Sequence, residues 1–359
     1  MRTTQRARRA GLAAAAAIVI GGSGVAIGAA ATESSASGIT ATATPGPVAP
    51  GRYAGPDSYA GVVRQVLPSV VLIRTADGLG SGVVLDRSGN IVTNAHVAGN
   101  ATKFQVQVSG DTAPRSARLV GTYPPDDLAV IRADNPAGLQ PATFGDSDKV
   151  QAGDVVLAIG NPLGLSGSVT QGIISATDRA VTEPSEDGSP AATLPGAIQT
   201  SAPINPGNSG GALVSTSGQV VGIPTLAAGS PQGGGQAQSI GFAIPSNLAR
   251  DIATQIIDTG HVTNSHRAAI GAEVATVLGP DGTAGGVGVV AVTNGGGAER
   301  AGLRAGDVIT AVGGAQTTDT TALSQALAAA RPGDTVTVTI SRDGQDRSVQ
   351  VTLGELPGS

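Results

Sequence analysis

The sequence predicts a mainly β protein: a barrel or sandwich of many short strands, then a small α+β module, behind an N-terminal apolar helix. Three observations carry this. Short β-branched runs recur between residues 58 and 262, broken by Gly, Asp, Asn and Pro, a texture of strands and turns rather than of alternating strands and helices. Residues 266–355 combine further strand-like runs with one Ala/Leu-rich stretch, and their length suits a small module. Residues 1–32 place four arginines before an uncharged apolar run.

In chain order, Arg2, Arg6, Arg8 and Arg9 precede the run Gly11 to Ala31. This reads as a secretory signal with small residues, Ala29-Ala30-Ala31, near a cleavage point. The run is also close to the ~20 residues that span a bilayer, so an uncleaved signal anchor fits equally. Either way the remainder is expected outside the cytoplasm, membrane-anchored or secreted. Residues 33–57 are Ala, Thr, Ser, Pro and Gly with almost no large apolar groups, a composition that makes a flexible tether. Strands are expected at Val70–Ile73, Val83–Leu85, Phe104–Val108, Leu128–Ile131, Val155–Ile159 and Val220–Ile223. A helix follows from Pro245 to Thr259, with Ile252, Ile256 and Ile257 on one face. The second unit has expected strands near Gly288–Thr293, Asp307–Val312 and Thr335–Ser341, and a helix over Thr321–Ala329.

Composition narrows the function. With 40 % hydrophobic and 13 % charged residues the chain can bury a core and is not disordered throughout. Aromatics are only 2 %, so Val, Ile, Leu and Ala must build that core. The net charge is −5, and the segment that holds the four arginines has no acid, so the rest is more acidic still. Such a surface does not recruit phosphate backbones, which argues against a nucleic-acid partner. Cysteine is absent, which excludes disulfides, thiolate zinc sites and a cysteine nucleophile. His96, His261 and His266 are the only histidines, too few to point to a His-based metal site.

The chemistry concentrates in Asn205-Pro206-Gly207-Asn208-Ser209-Gly210-Gly211. A serine among glycines sits on a tight turn whose backbone can approach a ligand closely. Amides of such a turn can converge on a developing oxyanion. A serine hydroxyl needs an adjacent base. Thr93-Asn94-Ala95-His96-Val97 offers the first histidine of the chain, at a strand end. The imidazole in turn needs a carboxylate to orient it. Asp127, directly before the apolar strand Leu128–Ile131, is the first candidate, and Asp126 the second. The order His, Asp, Ser is the one found in chymotrypsin-type hydrolases.

These blocks resemble the HtrA/Deg family of trypsin-like serine proteases. The resemblance covers about residues 60–260. It is carried by Gly80-Ser81-Gly82-Val83-Val84, Thr93 to Val97, Asp127 to Val130, Ala158-Ile159-Gly160-Asn161-Pro162-Leu163-Gly164, Gln199 to Leu213 and Gly241-Phe242-Ala243-Ile244-Pro245. It implies two perpendicular six-stranded, chymotrypsin-like barrels over residues 58–262, with the active site between them. It implies His96, Asp127 and Ser209 as the triad and the Gly207-Asn208-Ser209 turn as the oxyanion hole, with no metal or cofactor. The family often has Asp where Ser201 stands and Pro where Ala212 stands, which leaves open how the loop before the nucleophile is held. Thr182 to Pro195 matches a regulatory loop in position only.

Ile270-Gly271-Ala272, Gly288-Val289-Val290, Ala298 to Ile309 and Arg331-Pro332-Gly333-Asp334 resemble a PDZ domain over about residues 266–355. Such a domain adds a peptide as an edge strand and caps its terminal carboxylate. By that resemblance Ile270, Gly271 and Ala272 form the carboxylate loop. Leu323 and Leu327 line the groove or, equally, belong to the core. A small apolar specificity pocket is expected from Ile204, Thr225 and Ile240, because no acid lies between Ser201 and Ser209.

The expected activity is endoproteolysis of unfolded or misassembled proteins after small aliphatic residues, with peptide binding at the PDZ-like domain gating the oxyanion loop. A homotrimer formed through the N-terminal segment, with contacts from Tyr53 and Tyr59, is expected by resemblance. The alternatives are a catalytically silent chaperone or peptide-binding protein on the same fold, and a structural envelope protein.

Overall fold

The computed structural model describes residues 58–76, 78–161, 167–182, 193–205, 207–229, 236–279 and 282–357. The expected N-terminal apolar helix, the tether, Tyr53, most of the Thr182–Pro195 segment and Pro206 lie outside the described residues. Among the described residues no helix is long and apolar enough to cross a membrane.

Helix α1 (Tyr59–Val66) is capped by Ser58, whose hydroxyl accepts from Gly61 N at 3.1 Å. The next six strands are β1 (Val70–Arg74), β2 (Leu79–Val84), β3 (Asn90–Thr93), β4 (Lys103–Val108), β5 (Arg115–Tyr123) and β6 (Leu128–Ala133). They form a closed antiparallel barrel in the order β1-β2-β3-β6-β5-β4. A one-turn helix, α2 (Ala95–Ala98), follows β3. A second closed barrel holds β7 (Val155–Gly160), β8 (Ser168–Thr182), β9 (Thr193–Thr200), β10 (Ala212–Ser215), β11 (Val220–Gly229) and β12 (Gln236–Pro245), in the order β10-β11-β12-β9-β8-β7. The chymotrypsin-like expectation of two six-stranded barrels is met.

Period-two alternation puts each strand in two cores. Val71, Ile73, Val84, Ile91 and Ile131 fill the first barrel. Val156, Ala158, Ile174, Ile198 and Leu213 fill the second. The alternate residues Val70, Val83, Val92, Val130, Leu157, Ile159 and Val214 join a third cluster that runs between the barrels. Helix α3 (Ser246–Thr259) closes that cluster with Ile252 and Ile256, while Ile257 is only partly buried. Its last turn ends at Gly260 in the left-handed region, where the amide bonds Ile256 O.

The C-terminal unit is a second fold with its own core. Strands β13 (Ala268–Ala269), β14 (Ala272–Leu278), β15 (Ala284–Val292), β16 (Val308–Val312), β17 (Ala315–Gln316), β18 (Thr335–Arg342), β19 (Gln345–Thr352) and β20 (Gly354–Glu355) accompany helices α4 (Gly297–Arg300) and α5 (Thr320–Leu327). The sheet order is β14-β15-β16-β18-β19, which leaves β14 as an edge beside α5. Helix α5 begins one residue earlier than expected, because Asp319 accepts from Ala322 N at 2.8 Å and caps it.

Candidate active site

β3 runs out at Thr93, and α2 carries His96 into the space between the barrels. Opposite it, Pro124-Pro125-Asp126 forms a 3-10 turn whose cap, Asp127, has φ 51°. This left-handed backbone aims the carboxylate back at α2. Asp127 Oδ1 accepts from His96 N at 2.9 Å, and the imidazole Nδ1 lies 3.0 Å from Oδ1 and 2.9 Å from Oδ2. Asp127 O accepts from Ala95 N at 3.0 Å and from Asn94 Nδ2 at 3.1 Å. A carboxylate at Nδ1 places the ring proton there and leaves Nε2 as the basic nitrogen. Asp127 is buried, whereas the His96 side chain keeps 32 % exposure toward solvent. Asp126 points elsewhere, to Arg267, so the two candidate acids have different partners.

Ser209 arrives on the loop between β9 and β10. Its hydroxyl donates to Thr225 O at 3.2 Å. Thr225 Oγ1 in turn donates a short hydrogen bond to Asp127 Oδ2. Asp127 and Ser209 are thus both bonded to one residue of β11, and His96 joins them through Asp127. Sequence reasoning assigned Thr225 to the specificity pocket. In the structure its side chain is buried and its hydroxyl bonds Asp127.

The nucleophile loop is tied to the other barrel by Ser81 of β2. Ser81 N donates to Ser209 O at 2.9 Å, Ser81 Oγ donates to Gly207 O at 2.5 Å and accepts from Asn161 N at 2.8 Å. Thr93 Oγ1 donates to Ser81 O at 2.7 Å. Gly210 has φ 78°, and a Cβ there would fall 2.2 Å from Ser81 O, so only glycine lets the strands approach. Neither Ser81 nor Thr93 stood out as a functional position. The blocks that contain them did, but nothing local told that their polar groups face a loop more than a hundred residues away.

Asn208 N donates to Asn205 O at 2.9 Å, so its amide closes the turn rather than facing the cleft. Among the described residues, the Gly207 and Ser209 amides have no intramolecular partner. The departure at Ser201 is also explained. Its hydroxyl accepts from Ile173 N at 3.0 Å and its amide donates to Ile173 O at 3.0 Å, which fastens the loop to β8. Ile204 is packed into the core of the second barrel, and Ile240 is 38 % exposed. The three expected pocket residues therefore occupy three different environments.

In the C-terminal unit a cavity of about 180 Å³ is lined by Ile270, Ala272 and Val274 on one side and by Leu323 and Leu327 on the other. Both leucines also belong to the core, so the two readings of them coexist. Gly271 has φ 77°, and its carbonyl accepts from Thr293 N at 2.9 Å. Pro195 of β9 faces the same cavity.

Two buried groups at the junction of the barrels and the C-terminal unit are electrostatically unusual. Burial pushes the Asp126 carboxyl up to about 6 against the opposing pull of Arg267. Burial also pushes the Tyr123 phenol up to about 12. Among the described residues, Tyr123 OH and Asp126 Oδ2 have no hydrogen-bond partner.

Comparison with known proteins agrees with this layout. Residues 80–223 match the trypsin-like peptidase domain family, and residues 262–353 match the PDZ domain family. The chain is 39 % identical over 338 residues to the serine protease PepD of Mycobacterium tuberculosis, covering 89 % of this chain and 71 % of PepD. It is 38 % identical over 282 residues to the periplasmic pH-dependent serine endoprotease DegQ of Escherichia coli, covering 77 % of this chain but only 59 % of DegQ. Among solved structures, the HtrA-type protease AlgW with a decapeptide superposes with a TM-score of 0.54 at 34 % identity, covering 84 % of this chain and 99 % of AlgW. The serine endoprotease from Yersinia pestis superposes with a TM-score of 0.54 at 37 % identity, covering 83 % of this chain and 98 % of that one. With both domain families matched in the same order, and 39 % identity running through most of PepD, the chain belongs to the HtrA family of serine proteases.

Proposed function

We propose that this chain is an extracytoplasmic serine endopeptidase that hydrolyses unfolded or misassembled proteins through His96, Asp127 and Ser209. The observation that carries the reading is the continuous arrangement from the His96 imidazole, through Asp127 and Thr225, to the Ser209 hydroxyl. Rotation of that hydroxyl from Thr225 O to His96 Nε2 readies it for attack. His96 takes the proton as Ser209 Oγ bonds to the peptide carbonyl, and Asp127 stabilises the imidazolium. The unpartnered amides of Gly207 and Ser209 receive the oxyanion; one such donor is typically worth about 10²–10³ in turnover. His96 then protonates the leaving amine, and water releases the acyl-enzyme.

Cleavage after small aliphatic residues is proposed because no acid lies between Ser201 and Ser209. Peptide C-termini are the proposed ligands of the PDZ groove, consistent with its edge strand and apolar lining. Domain limits of 58–262 and 266–355 are proposed, and the separate core of the C-terminal unit supports them. The exposed apolar side chains of Tyr59, Val169 and Ile173 lie around Gln171, which bonds Tyr59, and support a homotrimer. An extracytoplasmic location, anchored or secreted, rests on the N-terminal sequence and on relatives named as periplasmic.

The test is labelling by a fluorophosphonate probe and cleavage of casein by the full chain. Labelling and cleavage that vanish in Ser209→Ala support the reading. A wild type inert in both assays removes it in favour of a silent peptide-binding protein.

A further inference from the structure

The turn that presents Asp127 is held from outside the barrel. Arg267, on the segment between α3 and β13, donates from Nη1 to Pro125 O at 2.5 Å and to Asp126 Oδ1 at 3.0 Å. The Arg267 side chain is 12 % exposed and that of Asp126 is 0 % exposed. A pair buried this deeply returns little net stability relative to apolar residues, although removal of one partner strands a charge. Its place in the chain gives it another use. Asp127 N closes the turn onto Pro124 O at 2.9 Å, and φ 51° is a conformation that a non-glycine residue keeps only when its surroundings enforce it. The two residues immediately before it are the ones that Arg267 grips.

We propose that Arg267 is a positioning residue for the triad: by clamping Pro125 and Asp126 it enforces the left-handed turn that aims Asp127 at His96. A side chain beyond the two barrels thereby completes their catalytic geometry. This rests on the assignment of His96, Asp127 and Ser209 as the triad.

The clamp is titratable. The charged and ionisable groups facing Asp126 are Arg267 and His266, whose ring meets Asp251 at 3.1 Å, and Tyr123, which also neighbours Ser265, Arg267 and Glu355. Because burial lifts Asp126 to about 6, the ionic clamp is lost in mild acid. Protonation of Asp126 then loosens the turn and lowers the rate on the acid side, by no more than the loss that neutralising the residue causes.

The experiment measures fluorophosphonate labelling rates of the full chain between about pH 5 and 8. It compares wild type, Ser209→Ala, Arg267→Ala, Arg267→Lys and Asp126→Asn, each normalised to folded protein by its thermal transition. Arg267→Ala and Asp126→Asn are expected to label about tenfold more slowly near pH 7.5, since small misplacements of a triad member are costly. Arg267→Lys is expected to recover most of the rate. Between about pH 7.5 and 5 the rate should fall more in wild type than in Asp126→Asn, by up to about the tenfold that separates them at pH 7.5. Equal rates and equal pH profiles in wild type and variants, even with lowered melting temperatures, overturn the proposal and leave Arg267 a structural residue. If Arg267→Ala does not fold, Arg267→Lys and the pH profile of Asp126→Asn decide. A wild type that labels no faster than Ser209→Ala overturns the protease reading, and this inference with it.

Discussion

The Thr225 hydroxyl donates to Oδ2 of Asp127, the carboxylate oxygen that lies 2.9 Å from the imidazole of His96. Asp127 is buried, so each of its oxygens needs donors, and Thr225 supplies the one that neither the imidazole nor the His96 amide provides. Thr225→Val keeps the shape and deletes that donor. It is expected to lower kcat/KM by roughly 10- to 100-fold, following the ~1–3 kcal/mol cost of an unsatisfied buried acceptor. Thr225→Ser should restore most activity. Steady-state hydrolysis of a peptide substrate measures both, and a Thr225→Val enzyme with wild-type turnover refutes the role.

Ser81 is the corresponding tie for the nucleophile loop. Ser81→Ala leaves Gly207 O and Asn161 N without their shared hydroxyl. The expected outcome is a loss of ~1–3 kcal/mol in stability and slower acylation, because the turn that offers the Gly207 amide is no longer braced. Thermal unfolding and burst-phase kinetics read these separately.

Gly210→Ala is expected to be far more damaging than a one-methyl change implies. The residue has φ 78°, and the added carbon would meet Ser81 O at 2.2 Å and Thr93 Oγ1 at 2.4 Å. Backbone strain alone costs about 1–3 kcal/mol, and the collision displaces the loop. Probe labelling should fall to the level of Ser209→Ala while the barrels still fold, as judged by circular dichroism.

Stability should depend on pH through Asp126. Its folded value, about 6, is raised above its ordinary 3.8, so the native state binds the proton more tightly than the unfolded chain. The resulting stabilisation is complete below about pH 4 and is lost as the pH rises through 6, an effect of a few kcal/mol at most. Asp307 runs the other way, since hydrogen bonds from Arg342 hold its carboxyl below the usual range and its contribution disappears in acid. Comparison of melting curves for Asp126→Asn and wild type at about pH 4.5 and 7.5 isolates the first effect. The gap between the two proteins should change with pH, and a constant gap would refute it.

The residues proposed for catalysis stood out in the sequence because such chemistry demands particular side chains in particular settings: a serine among glycines, a histidine at a strand end, an aspartate at a strand start. The apolar strands were legible for the same kind of reason, as runs that only a buried sheet accommodates. Strand β8 was not, because its 15 residues are mostly polar and Val169 and Ile173 face solvent; its order comes from pairing with β7 and β9, which no local pattern records. Strands β3 and β10 were too short to show a period. The bond from Thr225 to Asp127 left no local trace because the partners lie 98 residues apart, and Arg267 went unnoticed because a linker arginine looks like any solvated charge.

Ser81 bonds the Ser209 carbonyl through its amide and the Gly207 carbonyl through its hydroxyl, so a residue of the N-terminal half is built into the reactive turn of the C-terminal half. Fragments divided anywhere between the two barrels would inherit the serine without its scaffold. Reassembly of such halves would therefore switch labelling on from silence, which makes this chain a natural frame for a complementation reporter.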